Sequence, residues 1–224
     1  MRNLLKAYKG FPDANGLLTE EDLHWARVFK WNRGVGFRIA TPTHADKSGN
    51  DWLRDFVKTF GPAIVMPLTF MSKGLGFGAR SIKGKRFSAN LAHVPGFFTP
   101  STCFEQPFVY GTPIMVTEGV LDAEVASLAY PWTLAALTSK ISEVQAFLLS
   151  LITNTVIFSF DNDEAGEKGY RYSQKNMKRW GLQHTDLRPS GVKDWGDLLG
   201  KPKQDIQDEL NRFAVTLRVR GIVR

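Results

Sequence analysis

The chain has almost no cysteine and little histidine, and these two shortages remove several chemistries at once. Cys103 is its one thiol, so no internal disulfide can form. The four histidines, at 24, 44, 93 and 184, are too scattered to write a zinc-ligand spacing. Long apolar runs are missing as well: Ala146 to Leu151 and Val156 to Phe160 fall far short of the roughly 20 residues that span a bilayer. The opening segment, Met1 to Phe11, carries Arg2, Lys6 and Lys9 but no apolar stretch of about seven residues before a small-residue cleavage site. A cytoplasmic protein without membrane contact is therefore expected. Hydrophobic residues at 43% and charged residues at 23% argue against a largely disordered chain. A length of 224 residues suits one domain or two small lobes.

Acidic residues are absent from Phe56 to Phe104, a stretch that holds Lys58, Lys73, Arg80, Lys83, Lys85 and Arg86. From Glu105 to Glu167 the balance reverses, with nine acids against Lys140 alone. Basic residues return in Lys168, Arg171, Lys175, Lys178 and Arg179, and again in Arg212, Arg218, Arg220 and Arg224; the net charge is +7. A basic chain favours polyanionic partners without naming one. Each run taken alone also suits an ordinary solvated face. An acidic middle flanked by basic regions is what a metal-dependent nucleic-acid enzyme needs, because carboxylates hold the cation and Lys or Arg hold phosphates.

Periodicity divides the chain near residue 112. Thr19 to Trp31 and Asn50 to Phe60 read as helices, the first opened by a Thr cap and early acids, the second closed by Gly61-Pro62. Ala63 to Leu68 and the glycine-alternating Gly74 to Arg80 read as two strands of a hairpin. After Tyr110-Gly-Thr-Pro113 strands and helices alternate. Strands are expected at 114–117, 133–137, 156–160 and 185–188, and helices at 121–129, 142–152, 164–180 and 203–217. Such alternation predicts an α/β fold with a parallel sheet, helices on both faces, and functional groups at the carboxyl ends of its strands.

Carboxylates stand at three of those ends. Glu118-Gly119-Val120-Leu121-Asp122 follows the first strand, and Gly119 permits the sharp turn that projects Glu118. The same run also suits a helix start with acids favoured by the macrodipole. Asp161-Asn162-Asp163-Glu164 follows the most apolar strand. Two aspartates two residues apart face one way and suit a hard cation, while an Asx turn with an N-cap explains them equally. Lys193-Asp194-Trp195-Gly196-Asp197 stands in the same relation to a later strand. Convergence of three acidic strand ends would be self-repelling without a cation, which favours a metal-binding role.

In order and spacing, Glu118-Gly-X-X-Asp122, Asp161-X-Asp163-X-Ala-Gly and Lys193-Asp194 resemble the TOPRIM domain of DnaG-type primases, topoisomerases and some nucleases. Upstream, Ile64-Val-Met-Pro-Leu68, Gly76-Phe-Gly-Ala-Arg80, Lys85-Arg86-Phe87 and Asn90 resemble the basic subdomain of bacterial-type primases. The resemblance spans roughly residues 60–200 and implies a TOPRIM-type parallel sheet flanked by helices, preceded by a smaller mixed α+β basic lobe. It implies a basic lobe at 1–112, a catalytic domain at 113–200 and a C-terminal helix with basic tail at 201–224. Glu118, Asp161 and Asp163 would be catalytic and, with Asp122, Asp194 and Asp197, would hold Mg2+ or Mn2+. The three-residue step from Asp194 to Asp197 departs from the two-residue step of many primases. Lys73, Arg80, Lys83, Lys85, Arg86 and Asn90 would hold template and nucleotide phosphates, with Phe77, Phe87, Phe97 or Phe98 as stacking platforms or core. The implied activity is synthesis of short RNA primers from nucleoside triphosphates on single-stranded DNA. A replicative helicase or a separate template-recognition protein would be a partner, and a phage or mobile element a fitting source. A TOPRIM nuclease and a non-catalytic single-stranded-DNA-binding replication module are the alternatives.

Overall fold

The computed structural model describes residues 38–70, 73–82, 86–91, 96–100 and 109–223. The helix expected over 19–31 lies outside them. The chain forms two compact units, Met1–Val94 and Pro95–Arg224. The division expected near residue 112 thus falls inside the second unit. There, Phe98 exchanges backbone hydrogen bonds with Ala135 of the central sheet and so ties residues 96–100 to it.

In the first unit, β1 (Arg38–Ala40), β2 (Ala63–Phe70), β3 (Lys73–Ser81) and β4 (Phe87–Leu91) form one antiparallel sheet in that order. Two helices, α1 (Pro42–Lys47) and α2 (Asp51–Phe60), lie between β1 and β2 in the chain. Thr41 and His44 cap α1 reciprocally, and the Asn50 side chain accepts from Leu53 N at 3.0 Å to start α2. Helical spacing turns Leu53, Phe56 and Val57 inward, where they cluster with Ala45, Ala63, Val65, Phe77 and Ala79. Phe77 is therefore core rather than an exposed stacking platform. The β2–β3 hairpin forms as the glycine alternation predicts, with a register shift at Leu68/Thr69.

The second unit carries four parallel strands in the order β6-β5-β7-β8: β5 (Ile114–Thr117), β6 (Thr133–Ala135), β7 (Thr155–Phe158) and β8 (Gln183–Asp186). Helices α3 (Val120–Ala126), α4 (Glu143–Ser150) and α5 (Glu164–Arg179) alternate with them, and α6 (Lys203–Val219) closes the chain. All four β5 residues are buried, as expected of a central parallel strand covered on both faces. Gly181, at φ +67°, ends α5 where the sequence puts its stop. The α6 helix turns Ile206, Leu210, Phe213 and Leu217 inward. Phe213 meets the buried Trp195 ring edge-on at 4.8 Å. Each such buried aromatic or aliphatic side chain contributes roughly 1.5–3 kcal/mol. Phe97 and Phe98 are likewise buried. Among the described residues no helix is long and apolar enough to cross a membrane.

Helix α5 packs closely because most of its inward face is small, Gly166, Gly169 and Ser173, before Met177 near its end. Ser173 Oγ accepts from Ile141 N at 2.8 Å and donates to Gly169 O at 2.7 Å. A Cβ on Gly169 would lie 1.6 Å from the Ser139 carbonyl oxygen, a backbone atom that cannot rotate away. Gly169→Ala is accordingly expected to cost about 3 kcal/mol. A urea melt of the variant checks this, and a midpoint equal to wild type would contradict the packing.

Candidate active site

Glu118 leaves the end of β5 and reaches the end of its neighbour β7, where its Oε1 accepts from Asp161 N at 3.2 Å. The residue is about half-buried. Burial first, then the Asp161 charge, with smaller contributions from Asp163 and Asp122, push its carboxyl from the ordinary 4.5 up to about 7, although the Asp161 N–H opposes this. Four carboxylates therefore feel one another here. Gly119 is closely approached by Asp122, since a Cβ there would sit 2.5 Å from Asp122 Oδ2 and would make that carboxylate shift. Asp122 Oδ1 in turn accepts from Gly196 N at 2.9 Å. Asp122 thereby ties the β5 turn to the loop beyond β8.

At the end of β7 the two aspartates do different work. Asp163 is the N-cap of α5, its Oδ1 accepting from Gly166 N at 2.9 Å, and this bond with the Lys193 ammonium holds its carboxyl below the ordinary range. Asp161 is more buried, and desolvation together with the nearby Asp194 charge raises it despite Lys193. The Lys193 Nζ lies 3.3 Å from Asp161 Oδ2 and 3.1 Å from Asp163 Oδ2. Both carboxylates thus face the same side, as their two-residue spacing predicts, and the turn and cap reading of this run also holds for Asp163.

The loop after β8 is stitched to this turn. Asn162 N donates to Lys193 O at 2.6 Å, while Asn162 Nδ2 donates to Pro189 O and Val192 O, both at 2.8 Å. Arg188 donates from Nη1 to Asp161 O at 2.9 Å and pairs with Asp186 at 2.8 Å and Glu167 at 3.2 Å. From α6, Glu209 accepts from Ser190 N and Oγ at 2.8 and 2.9 Å. Trp195 Nε1 donates to Ser159 Oγ at 2.9 Å, fixing the loop against the end of β7. Asp194 Oδ1 accepts from Asp197 N at 2.8 Å and so opens the short 3-10 turn Gly196–Gly200.

Glu118, Asp122, Asp161, Asp163 and Asp194 are thus brought together in the second unit, with Asp197 held one turn further on an exposed position. The basic candidates belong to the first unit. Arg80 is half-buried on β3 and Arg86 is exposed before β4; Lys73 and Asn90 lie on β3 and β4, with Asn90 opposite Phe77. Lys83 and Lys85 lie outside the described residues. Arg188, Asn162 and the role of Lys193 were not foreseen from sequence, because each acts across strands that are distant in the chain.

Among the described residues no three His, Cys, Asp or Glu side chains converge closely enough to grip an ion as they stand. The donor set nevertheless suits a hard divalent cation. It is all carboxylate oxygen, like charges already crowd Glu118, and an ammonium stands between Asp161 and Asp163 where a cation is favoured.

Residues 115–199, which span almost all of the parallel sheet and its acidic strand ends, match a domain family described as Toprim-like. Beyond that domain, the chain has the fold of DnaG-type primase catalytic cores. It is similar to the Aquifex aeolicus primase comprising zinc-binding and RNA polymerase domains, with TM-score 0.67 and 18% identity over 96% of this chain and 60% of that one. A DNA primase domain from Pseudomonas aeruginosa gives 0.66 and 14% over 94% and 77%. A DnaG primase catalytic domain bound to single-stranded DNA gives 0.64 and 13% over 100% and 84%. The chain spans 60% of the length of the Aquifex protein. No curated protein matches it by sequence.

Proposed function

We propose that this protein is the catalytic core of a DNA primase, joining ribonucleoside triphosphates into short RNA primers on single-stranded DNA with Mg2+ or Mn2+. The observation that carries this reading is the placement of Glu118 and the Asp161/Asp163 pair at adjacent ends of β5 and β7, linked by the bond from Asp161 N to Glu118 Oε1. Similarity to primase cores in fold and in the Toprim-like segment supports it.

Glu118, Asp161 and Asp163 would hold the ions, with Asp122 and Asp194 arranging the loops around them. A bound divalent cation supplies neutralisation of the triphosphate and a lowered pKa for the attacking 3'-hydroxyl. Asp163, held ionised by Gly166 N, is a ready ligand at neutral pH, whereas Glu118 is only partly ionised in the metal-free site. Arg188 and Asn162 hold the Asp161–Asp163 turn in register. Lys73, Arg80, Lys83, Lys85, Arg86 and Asn90 would bind template and nucleotide phosphates as the first unit's contribution. A helicase or template-recognition protein would act as partner.

The test supplies labelled nucleoside triphosphates and unprimed mixed-sequence single-stranded DNA with Mg2+ or Mn2+. Short products that vanish with EDTA are expected. Loss of the template instead would make the protein a nuclease, and salt-sensitive DNA binding indifferent to EDTA, without products, would make it a binding module.

A further inference from the structure

The ammonium of Lys193 lies between the two aspartate carboxylates of the β7 turn, 3.3 Å from Asp161 Oδ2 and 3.1 Å from Asp163 Oδ2. Its main chain is immobilised, because Lys193 O accepts from Asn162 N at 2.6 Å and the preceding residue's carbonyl accepts from Asn162 Nδ2 at 2.8 Å. Its side chain is not, since 52% of it is exposed to solvent. The loop thus presents a fixed anchor bearing a cation that can swing into water without disturbing the fold. Asp161 is differently placed: only 19% of its side chain is exposed, its amide is held by Glu118 and its carbonyl by Arg188. The carboxylate stays and the ammonium is the movable partner.

Resting on the metal-dependent reading above, we propose that Lys193 is a built-in counter-cation of the Asp161–Asp163 pair which a divalent ion must displace, making it a specificity-determining residue for ion entry. An ammonium within 3.3 Å of both oxygens and an ion coordinated by the same oxygens cannot coexist. Exchange of one positive charge for two is electrostatically favourable beside several carboxylates; exchange for a monovalent ion gains nothing in charge and forfeits two ion pairs. Lys193 therefore steadies the metal-free turn, sets the threshold for divalent binding and selects against monovalent ions. Once displaced, the ammonium remains tethered beside the ion, in reach of anionic groups brought there with it.

The decisive experiment is Mn2+ binding, followed by electron paramagnetic resonance and calorimetry, in wild type, Lys193→Met, Lys193→Arg and Asp161→Asn/Asp163→Asn. Lys193→Met keeps the aliphatic stem and removes the charge. It is expected to bind Mn2+ about tenfold more tightly than wild type and to melt at lower temperature without metal. Lys193→Arg keeps the charge and is expected to stay within about threefold of wild type. In the double aspartate background Lys193→Met is expected to change nothing, which ties the effect to this pair. Equal or weaker Mn2+ binding by Lys193→Met overturns the counter-cation proposal while leaving metal binding intact. Absence of Mn2+ binding from every form overturns the metal-dependent reading and the proposal with it.

Discussion

Replacing both Asp161 and Asp163 by asparagine is expected to leave the protein folded and to lower primer synthesis by a thousandfold or more, on the order of 4 kcal/mol or above in the barrier. Asparagine is chosen for a structural reason. Asp163 Oδ1 caps α5 through Gly166 N at 2.9 Å, and an amide oxygen can accept that bond, whereas alanine would forfeit the cap and cost about 1 kcal/mol of helix stability. The substitution removes two negative charges that face the same ammonium, so their charge is lost while their shape persists. Glu118, pushed up to about 7 partly by those charges, is expected to ionise more readily in the double variant. Product gels measure the first effect, and far-ultraviolet circular dichroism with a thermal melt measures the fold. Activity within tenfold of wild type would sink the assignment of these carboxylates to the metal.

The second large effect concerns stability against pH. Glu124, on α3, is 5% exposed, and its Oε2 has no hydrogen-bond partner among the described residues. Burial without a compensating donor pushes its carboxyl from the ordinary 4.5 up to about 8. Between those two values the folded protein keeps a proton that the unfolded chain releases, so stability falls as pH rises through the window and levels off above about 8. The slope contributed by one such group is up to about 1.4 kcal/mol per pH unit. Glu124→Leu, which fills similar volume without charge, is expected to remove that slope and to be more stable than wild type at pH 8, with little difference near pH 4.5. Chemical denaturation at a series of pH values reads this directly. Parallel curves for the two proteins would mean that Glu124 titrates near its ordinary value and is hydrated.

Nothing in the chain around Glu124 marks it as buried. Glu118, Asp122 and Glu124 lie within seven residues, and nothing in their composition distinguishes a carboxylate bonded across to the next strand end, a loop tie and a buried acid. Helical geometry separates the last two, since Asp122 meets Gly196 N while Glu124 is buried in the protein interior. The same limit applies to Lys193, whose neighbours in the chain reveal only a strand-end acid pair. The elements β1, α1 and β4 were hidden too, whereas α5, with sixteen residues, was legible almost to its end.

Amino-acid order by itself determined the alternation of strands and helices after residue 112, the cap in the Asp161–Glu164 run, and the acids at the ends of β5 and β7. Those features depend on local spacing and on the chemistry of single side chains, which a linear text records. Only the tertiary structure decided that β5 and β7 are neighbours, that Arg188 and Asn162 lock the Asp161 turn, and that an ammonium 30 residues further on settles between its carboxylates. Parallel strands acquire their neighbours through long crossovers, so pairings at their ends are set by packing of the whole sheet and carry no local signature.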